Sequence, residues 1–168
     1  MIREYIDADV YSAFQERLRF LFEEFENIYV SFSGGKDSGL LLNLTLDFQR
    51  RYYPNTRIGV FHQDFEAQYS VTTEYIERTF ERIREDVEPY WVCLPMATRT
   101  AMSNYEMFWY PWDDTRREAW VRPMPDHDYV INLANNPMTT YRYRMHQEDL
   151  ARQFGRWYRL SHGNKKTV

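Results

Sequence analysis

Residues 28–42 read IYVSFSGGKDSGLLL. Its alternating apolar start predicts a β-strand over residues 28–33, and its leucine-rich end predicts a helix over residues 37–53, which Pro54 ends. The glycines therefore lie where a strand turns into a helix. At such a turn, backbone amides approach a ligand closely and the helix start adds a partial positive charge. The stretch is typical of a phosphate-binding loop.

Polar side chains in the loop favour the same ligand. Lys36 and the hydroxyls of Ser33 and Ser38 supply further donors for phosphate oxygens. Lys36 is also the only lysine before Lys165, and almost all the other basic residues of the chain are arginines. A compact point charge is thus found where phosphate binding needs one.

The alternative is a tight strand-to-helix turn in which the glycines serve packing only. Composition favours the ligand, because three of the six glycines in the chain, Gly34, Gly35 and Gly39, fall in this loop. A polyphosphate is the ligand class that fits the loop best.

Length and composition limit the other possibilities. The 168 residues predict one domain, residues 1–168. A net charge of -4 argues against a general nucleic-acid binder, although a local arginine patch leaves direct nucleic-acid contact open. The single cysteine excludes an internal disulfide and a cysteine-only metal cage. Apolar runs fall short of the ~20 residues that span a bilayer, so we expect no membrane association and a cytoplasmic location.

Further strands and helices alternate along the chain. Strands are predicted over residues 57–63 and 89–94, and amphipathic helices begin at Asp7 or Asp9, at Tyr69 and at His146. Successive βαβ units form parallel sheets. The predicted fold class is therefore α/β, with an open, mostly parallel, Rossmann-like sheet flanked by helices.

Residues 95–144 have a different character, with many aromatic side chains, prolines and arginines and no sustained periodicity. We interpret them as a long ordered insertion on the ligand side of the sheet, because disordered segments are poor in aromatics. The arginines could bind anions or could only hold the insertion together by stacking and ion pairing. Arg99 and Arg122, with Glu66 from the sheet, are the candidate anion or second-substrate contacts.

Two further positions each have a functional and a structural interpretation. His62, Asp64 and Glu66 share one side at the end of the second strand, where they could ligate a metal or form a polar rim. Asp37 could complement the helix dipole or bind magnesium with the phosphates. Cys93 is predicted to be a buried strand residue rather than a nucleophile.

The SGGKDS segment resembles the pyrophosphate loop, or PP-loop, of the adenine nucleotide alpha hydrolase superfamily, which includes the N-type ATP pyrophosphatases. Residues 91–95 (WVCLP), residues 120–125 (WVRPMP) and the helix with Trp157 are similar to the IbrA-like branch related to phosphoadenosine phosphosulfate (PAPS) reductases. The resemblance implies a five-stranded sheet ordered 3-2-1-4-5 that binds ATP or PAPS after strand one.

The resemblance also implies roles for individual residues. Lys36 and Asp37 would be catalytic, and Asp37 and Asp64 would bind Mg²⁺. Phe61 and His62 would approach the adenine through backbone or ring contacts. The implied nucleotide-binding residues are Ser33, Gly34, Gly35, Lys36, Asp37, Ser38, Phe61, His62 and Asp64.

The sequence also departs from the family pattern. It lacks the tail cysteine of thiol-dependent PAPS reductases and the several cysteines of an iron–sulfur cluster, and we expect no structural zinc. Relatives continue into a fourth strand, so we expect the chain to be incomplete at its C-terminus, with strand one as an open edge. A protein partner, a second copy or residues 129–133 would cover that edge.

Three functions follow as hypotheses. The first is cleavage of ATP between the α and β phosphates with adenylyl transfer to an acceptor. The second is PAPS reduction, or other sulfonucleotide handling, with an external thiol. The third is a non-catalytic nucleotide-binding subunit that has a ParB-like partner.

Overall fold

A computed structural model describes residues 7–100 and 103–168, and it contains a four-stranded parallel sheet. In their order across the sheet, the strands are β1 (Tyr29–Ser31), β2 (Ile58–Gln63), β3 (Val87–Val92) and β6 (Val130–Ile131). The α/β class and the parallel sheet are thus confirmed. The first three strands are neighbours in the expected order, whereas β6 lies beside β3, outside that order.

Four α-helices flank the sheet, and each prediction is confirmed to within a few residues. Asp9 caps the first helix, because its carboxylate accepts a hydrogen bond from the backbone N–H of Ser12 at 2.7 Å. The helices are α1 (Val10–Glu24), α2 (Lys36–Tyr52), α3 (Ser70–Ile83) and α4 (Gln147–Ser161).

The sheet is covered on both faces. Helices α1, α2 and α3 contribute side chains to one buried cluster with Val60 and Trp91, whereas α4 contributes to a second cluster with Phe61 and Val92. Consecutive strand residues thus point to opposite faces, as strand geometry requires. Both faces are apolar, and this explains why the strands read as nearly continuous hydrophobic runs.

Close packing of α4 on the sheet depends on Gly59 in β2. A Cβ atom at this position would come within 2.9 Å of Cε2 of Tyr158. The same tyrosine hydroxyl donates a hydrogen bond to the carbonyl oxygen of Ile28 at 3.2 Å. The aromatic ring therefore lies directly on the strand backbone, and it joins α4 to the start of the central sheet.

One expectation about the sheet edge was wrong. Residues 129–133 do not cover β1; they pair with β3 through hydrogen bonds from Trp91 N to Tyr129 O (3.1 Å) and from Cys93 N to Ile131 O (2.8 Å). Packing on the helix layer holds the segment there, because the Tyr129 ring stacks on Phe80 of α3 with centroids 5.5 Å apart.

The edge of β1 instead meets residues 166–168. Asn27 N donates to Lys166 O at 3.2 Å, and Tyr29 N donates to Val168 O at 2.9 Å. Val168 N donates to Asn27 O at 3.0 Å, so this short segment runs parallel to the first part of β1.

The predicted insertion is ordered around a second, smaller sheet. In their order across this sheet, the strands are β5 (Phe108–Trp109), β4 (Met96–Arg99) and β7 (Met145–His146). They are only two to four residues long, which explains why no strand periodicity is visible in the sequence. A 3-10 helix, Asp114–Ala119, follows β5.

Within the described ranges, no helix has the length and apolar character needed to cross a membrane.

Candidate functional site

The loop between β1 and α2 has a backbone that only glycine adopts easily. Gly34 has a φ of 81°, and a Cβ atom there would come within 2.7 Å of two side-chain carbons of Ile76 in α3. Gly35 is the N-cap of α2, and no side chain caps that helix. The 17-residue helix therefore begins with amides that have no side-chain acceptor at the carboxyl edge of β1.

The two serines of the loop brace it from within. Their hydroxyl oxygens lie 2.9 Å apart. The Ser38 hydroxyl is also 3.0 Å from the carbonyl oxygen of Gly35, and the backbone N–H of Gly35 donates to the Ser33 hydroxyl at 3.3 Å. These contacts keep both hydroxyls beside the amides at the helix start, where a phosphate would meet them.

Lys36 and Asp37 form the first turn of α2, and both are exposed. Neither side chain forms an ion pair with another residue of the described chain. The ammonium group of Lys36 is thus available to a ligand, and the Asp37 carboxylate is available to a cation.

His62 in β2 is buried behind the loop. Its Nδ1 lies 2.7 Å from the carbonyl oxygen of Phe32, the residue before the loop. Burial lowers the pKa of His62 despite the nearby Asp64 charge, so the imidazole is neutral and Nδ1 carries the proton donated to Phe32. Nε2 has no hydrogen-bond partner among residues 7–100 and 103–168.

Phe61 and His62 were expected to approach adenine, and both side chains are fully enclosed. The Phe61 ring stacks on Phe154 of α4 with centroids 4.1 Å apart, on the opposite face of the sheet from His62. Their adenine contacts therefore stay predictions, and an enclosed ring could make them only after rearrangement.

Asp64 follows β2 and is completely buried. Its carboxylate accepts hydrogen bonds from Trp91 Nε1 at 2.6 Å and from Arg122 Nη2 at 2.6 and 2.7 Å, and it also accepts one from the backbone N–H of Glu66 at 2.7 Å. A buried charge is tolerated when it is paired and hydrogen-bonded in this way. Asp64 thus joins β2 and β3 to the insertion.

The Glu66 carboxylate, like that of Asp64, points toward the insertion. Its two carboxylate oxygens accept from the backbone N–H groups of Trp112 and Val121, each at 2.8 Å. A φ of 61° turns the backbone so that the side chain is buried, and the Glu66 carbonyl accepts from Arg122 Nε at 3.0 Å. We name Asp64, Glu66, Trp91 and Arg122 the carboxylate hub.

The metal interpretation of His62, Asp64 and Glu66 has no geometric support. The described residues include no group of three or more His, Cys, Asp or Glu side chains that could hold a metal ion. The proposed magnesium role of Asp64 stays a prediction, and it would require the carboxylate to release Arg122 or Trp91.

Cys93 is confirmed as a buried residue, directly after β3. Burial and the neighbouring Asp64 carboxylate raise the pKa of the Cys93 thiol. Its sulfur lies 3.7 Å from Asp64 Oδ2. Because the thiol is buried and its pKa is raised, it is a poor nucleophile.

Three arginines of the insertion differ in whether an acidic side chain pairs with them. Arg122 pairs with Asp64, and Arg144 pairs with the buried Asp113, so these two hold the insertion together. Hydrogen bonds from Tyr143, Thr115 and Arg144 outweigh the effect of burial and lower the pKa of Asp113 to about 2. Arg99, by contrast, is exposed on β4 and has no ion-pair partner in the described ranges.

Sequence reasoning missed the structural use of Trp91 and Trp112. Trp91 donates to Asp64, and the indole N–H of Trp112 donates to the Asp64 carbonyl oxygen at 3.2 Å. No local pattern marks these pairs, because their members lie 27 and 48 residues from Asp64. The available signal was two acids at a strand end in a chain with five tryptophans.

Comparison with known proteins gives limited information. No family model matches the sequence, and no solved structure matches it. The chain is similar to the uncharacterized protein YbdN of Escherichia coli (strain K12), with 33% identity over 154 residues. The match covers 91% of this chain and 36% of YbdN, so the chain spans about a third of the length of that relative.

The two loop glycines give a matched pair of variants. Gly34→Ala should lower the free energy of unfolding by roughly 2–4 kcal/mol, because the cost of a positive φ for alanine is added to the cost of the clash with Ile76. Gly35→Ala should cost about 1 kcal/mol or less, because φ is -77° and the new Cβ would approach only the Ser33 hydroxyl, at 3.4 Å. Urea unfolding measures both, and equal losses would contradict the loop backbone described above.

Removing the Arg122 guanidinium should be strongly destabilising. Arg122→Ala leaves the buried Asp64 charge without its cation, which costs roughly 3–5 kcal/mol. Arg51→Ala is the control: it removes an exposed ion pair with Asp47, which contributes less than about 1 kcal/mol. Chemical denaturation of both variants checks the prediction, which fails if the two losses are similar.

His62 should make stability depend on pH. Because burial lowers the folded-state pKa below the ordinary 6.5, the unfolded state takes up the proton first. Stability contributed by the neutral imidazole is complete above pH 6.5 and falls by up to ~1.4 kcal/mol per pH unit below it, until the folded-state pKa is reached.

His62→Asn tests this origin, because an amide can still donate to Phe32 O but does not titrate. Urea unfolding between pH 7.5 and pH 5 should show a smaller slope for the variant than for the native chain. An unchanged slope would assign the pH dependence to other groups.

Proposed function

We propose that the chain binds an adenine nucleotide, ATP or PAPS, with the phosphates in the loop formed by Ser33 to Ser38. One observation carries the proposal: α2 begins without a side-chain cap, beside a glycine with positive φ and an exposed lysine that has no ion-pair partner among the described residues. Backbone amides, helix dipole and point charge thus converge at the carboxyl edge of a parallel strand. Open α/β sheets bind ligands at this edge.

The proposed reaction is cleavage between the α and β phosphates with adenylyl transfer. An acceptor oxygen attacks the α-phosphorus, the bond to the bridging oxygen breaks, and pyrophosphate leaves. The loop amides and Lys36 bind the charge that develops on pyrophosphate. The protein needs no nucleophile of its own, and this agrees with the buried state of Cys93.

Magnesium would neutralise further phosphate charge when it is bound. Among the acids proposed for this role, Asp37 fits better than Asp64, because Asp37 is exposed in the first turn of α2. The oxygens of Asp64 already accept from Trp91, Arg122 and Glu66.

Assignment to the PAPS reductase-like branch of the pyrophosphate-loop superfamily is part of the proposal. The adjacency of β3, β2 and β1 and the loop after β1 support it. PAPS reduction itself would need an external thiol, because Cys93 is buried and its thiol donates a hydrogen bond to Asp64. For this reason adenylyl transfer is the favoured chemistry.

Lys36→Ala tests the binding site. A lost charge-assisted contact contributes about 1.5–3 kcal/mol, so the affinity for ATP should fall roughly 10- to 100-fold. Calorimetric titration with ATP and with PAPS, with and without magnesium, measures the affinities. Lys165→Ala is the matched control, because Lys165 is an exposed lysine just before residues 166–168, which lie beside the start of β1, at the opposite end of that strand from the loop.

The reaction is tested with ATP labelled at the α-phosphate. AMP or an AMP adduct supports adenylyl transfer, and release of ADP contradicts it. Tight binding without turnover favours the non-catalytic hypothesis with a ParB-like partner. Equal affinities of native chain, Lys36→Ala and Lys165→Ala would remove the loop as the binding site.

A further inference from the structure

A cavity of about 590 Å³ lies over the small sheet, between β4, β5 and the residues that follow β2. Its volume is within the range of small-molecule sites. Phe65, Phe108, Trp109 and Val121 give it apolar walls. The cavity lies on the same side of the molecule as the carboxyl end of β2, but its lining includes no residue of the loop that carries Lys36.

Two polar atoms of residues lining this cavity are buried without a partner. Oγ1 of Thr98 and Nε1 of Trp109 have no hydrogen-bond partner in the described part of the chain. The two residues lie directly opposite each other in the antiparallel β4–β5 pair, so their side chains share one face of the sheet. Unsatisfied buried polar groups are rare because each is costly, so any group that reached either atom would relieve that cost.

The cavity lining also contains one charge of each sign. Arg99 and Glu106 are both exposed, and neither forms an ion pair with another described residue, nor do they pair with each other. An anionic ligand alone would meet Glu106, and a cationic ligand alone would meet Arg99. A ligand that carries both charges is complementary to both side chains.

We propose that this cavity binds a zwitterionic amino acid with an aromatic or branched apolar side chain. The apolar side chain packs against Phe65, Phe108 and Trp109. The carboxylate pairs with Arg99, and the ammonium group pairs with Glu106. The site is separate from the nucleotide loop, so the inference does not rest on the proposed function.

Three related probes test the charge requirement on the full chain without nucleotide. L-phenylalanine carries both charges, 3-phenylpropionate lacks the ammonium group, and phenethylamine lacks the carboxylate. Calorimetry should show that L-phenylalanine binds at least tenfold more tightly than either analogue. The indole N–H resonance of Trp109, assigned with Trp109→Phe, should shift when L-phenylalanine is added.

Two charge-neutralising variants then assign the contacts. Arg99→Gln should weaken the binding of L-phenylalanine and 3-phenylpropionate three- to tenfold and leave the binding of phenethylamine unchanged. Glu106→Gln should weaken the binding of L-phenylalanine and phenethylamine and leave the binding of 3-phenylpropionate unchanged. Arg159→Gln is the control, because Arg159 is an exposed arginine on α4, outside the cavity lining.

Several outcomes overturn the proposal. It fails if none of the probes binds, if the three bind equally, or if the Trp109 resonance stays in place while L-phenylalanine binds elsewhere. It also fails if Arg159→Gln weakens binding as much as Arg99→Gln does. Loss of ATP binding in Lys36→Ala has no bearing on these results, so failure of one site is distinguishable from failure of the other.

Discussion

The buried carboxylate of Asp64 is the constraint on which the ligand side of the sheet depends. A carboxylate removed from water loses several kcal/mol of hydration, and it is stable only when donors replace that water. Here the donors come from β3, from the adjoining turn and from Arg122, which lies 58 residues later in the chain. The charge can be satisfied only when all three segments are in place, so it makes their assembly interdependent.

This interdependence explains how an irregular insertion is ordered. Strands of two to four residues cannot form a stable sheet alone. Glu66 fixes the insertion at two further points by accepting from the backbone of Trp112 and Val121, and Asp113 joins the 3-10 helix to Arg144. The insertion is thus anchored by carboxylates rather than by regular secondary structure, and cavities remain between its aromatic side chains.

The sequence predicted what local chemistry determines. The strand, glycine loop and helix around Lys36 follow from residues that are adjacent in the chain, and the starts of the other helices follow in the same way. The carboxylate hub could not be predicted, because a strand-end acid looks the same whether it faces a ligand or an arginine from another segment. Pairing of β6 with β3 was missed for a related reason: β6 has two residues, and both its backbone partner β3 and the Tyr129 contact with Phe80 of α3 are distant in the sequence.

Two arginines of the insertion, Arg122 and Arg144, are not available to the phosphate loop. Arg122 and Arg144 are held by buried acids, so their guanidinium groups are committed to the insertion. A phosphate at the start of α2 would meet backbone amides, two serine hydroxyls and Lys36, and not the guanidinium groups of Arg122 and Arg144. Amides and hydroxyls discriminate by geometry, and a single flexible ammonium group adds charge without fixing orientation. Recognition in such a loop would depend on the backbone shape that Gly34 permits, and His62 supports that shape from behind through its bond to Phe32.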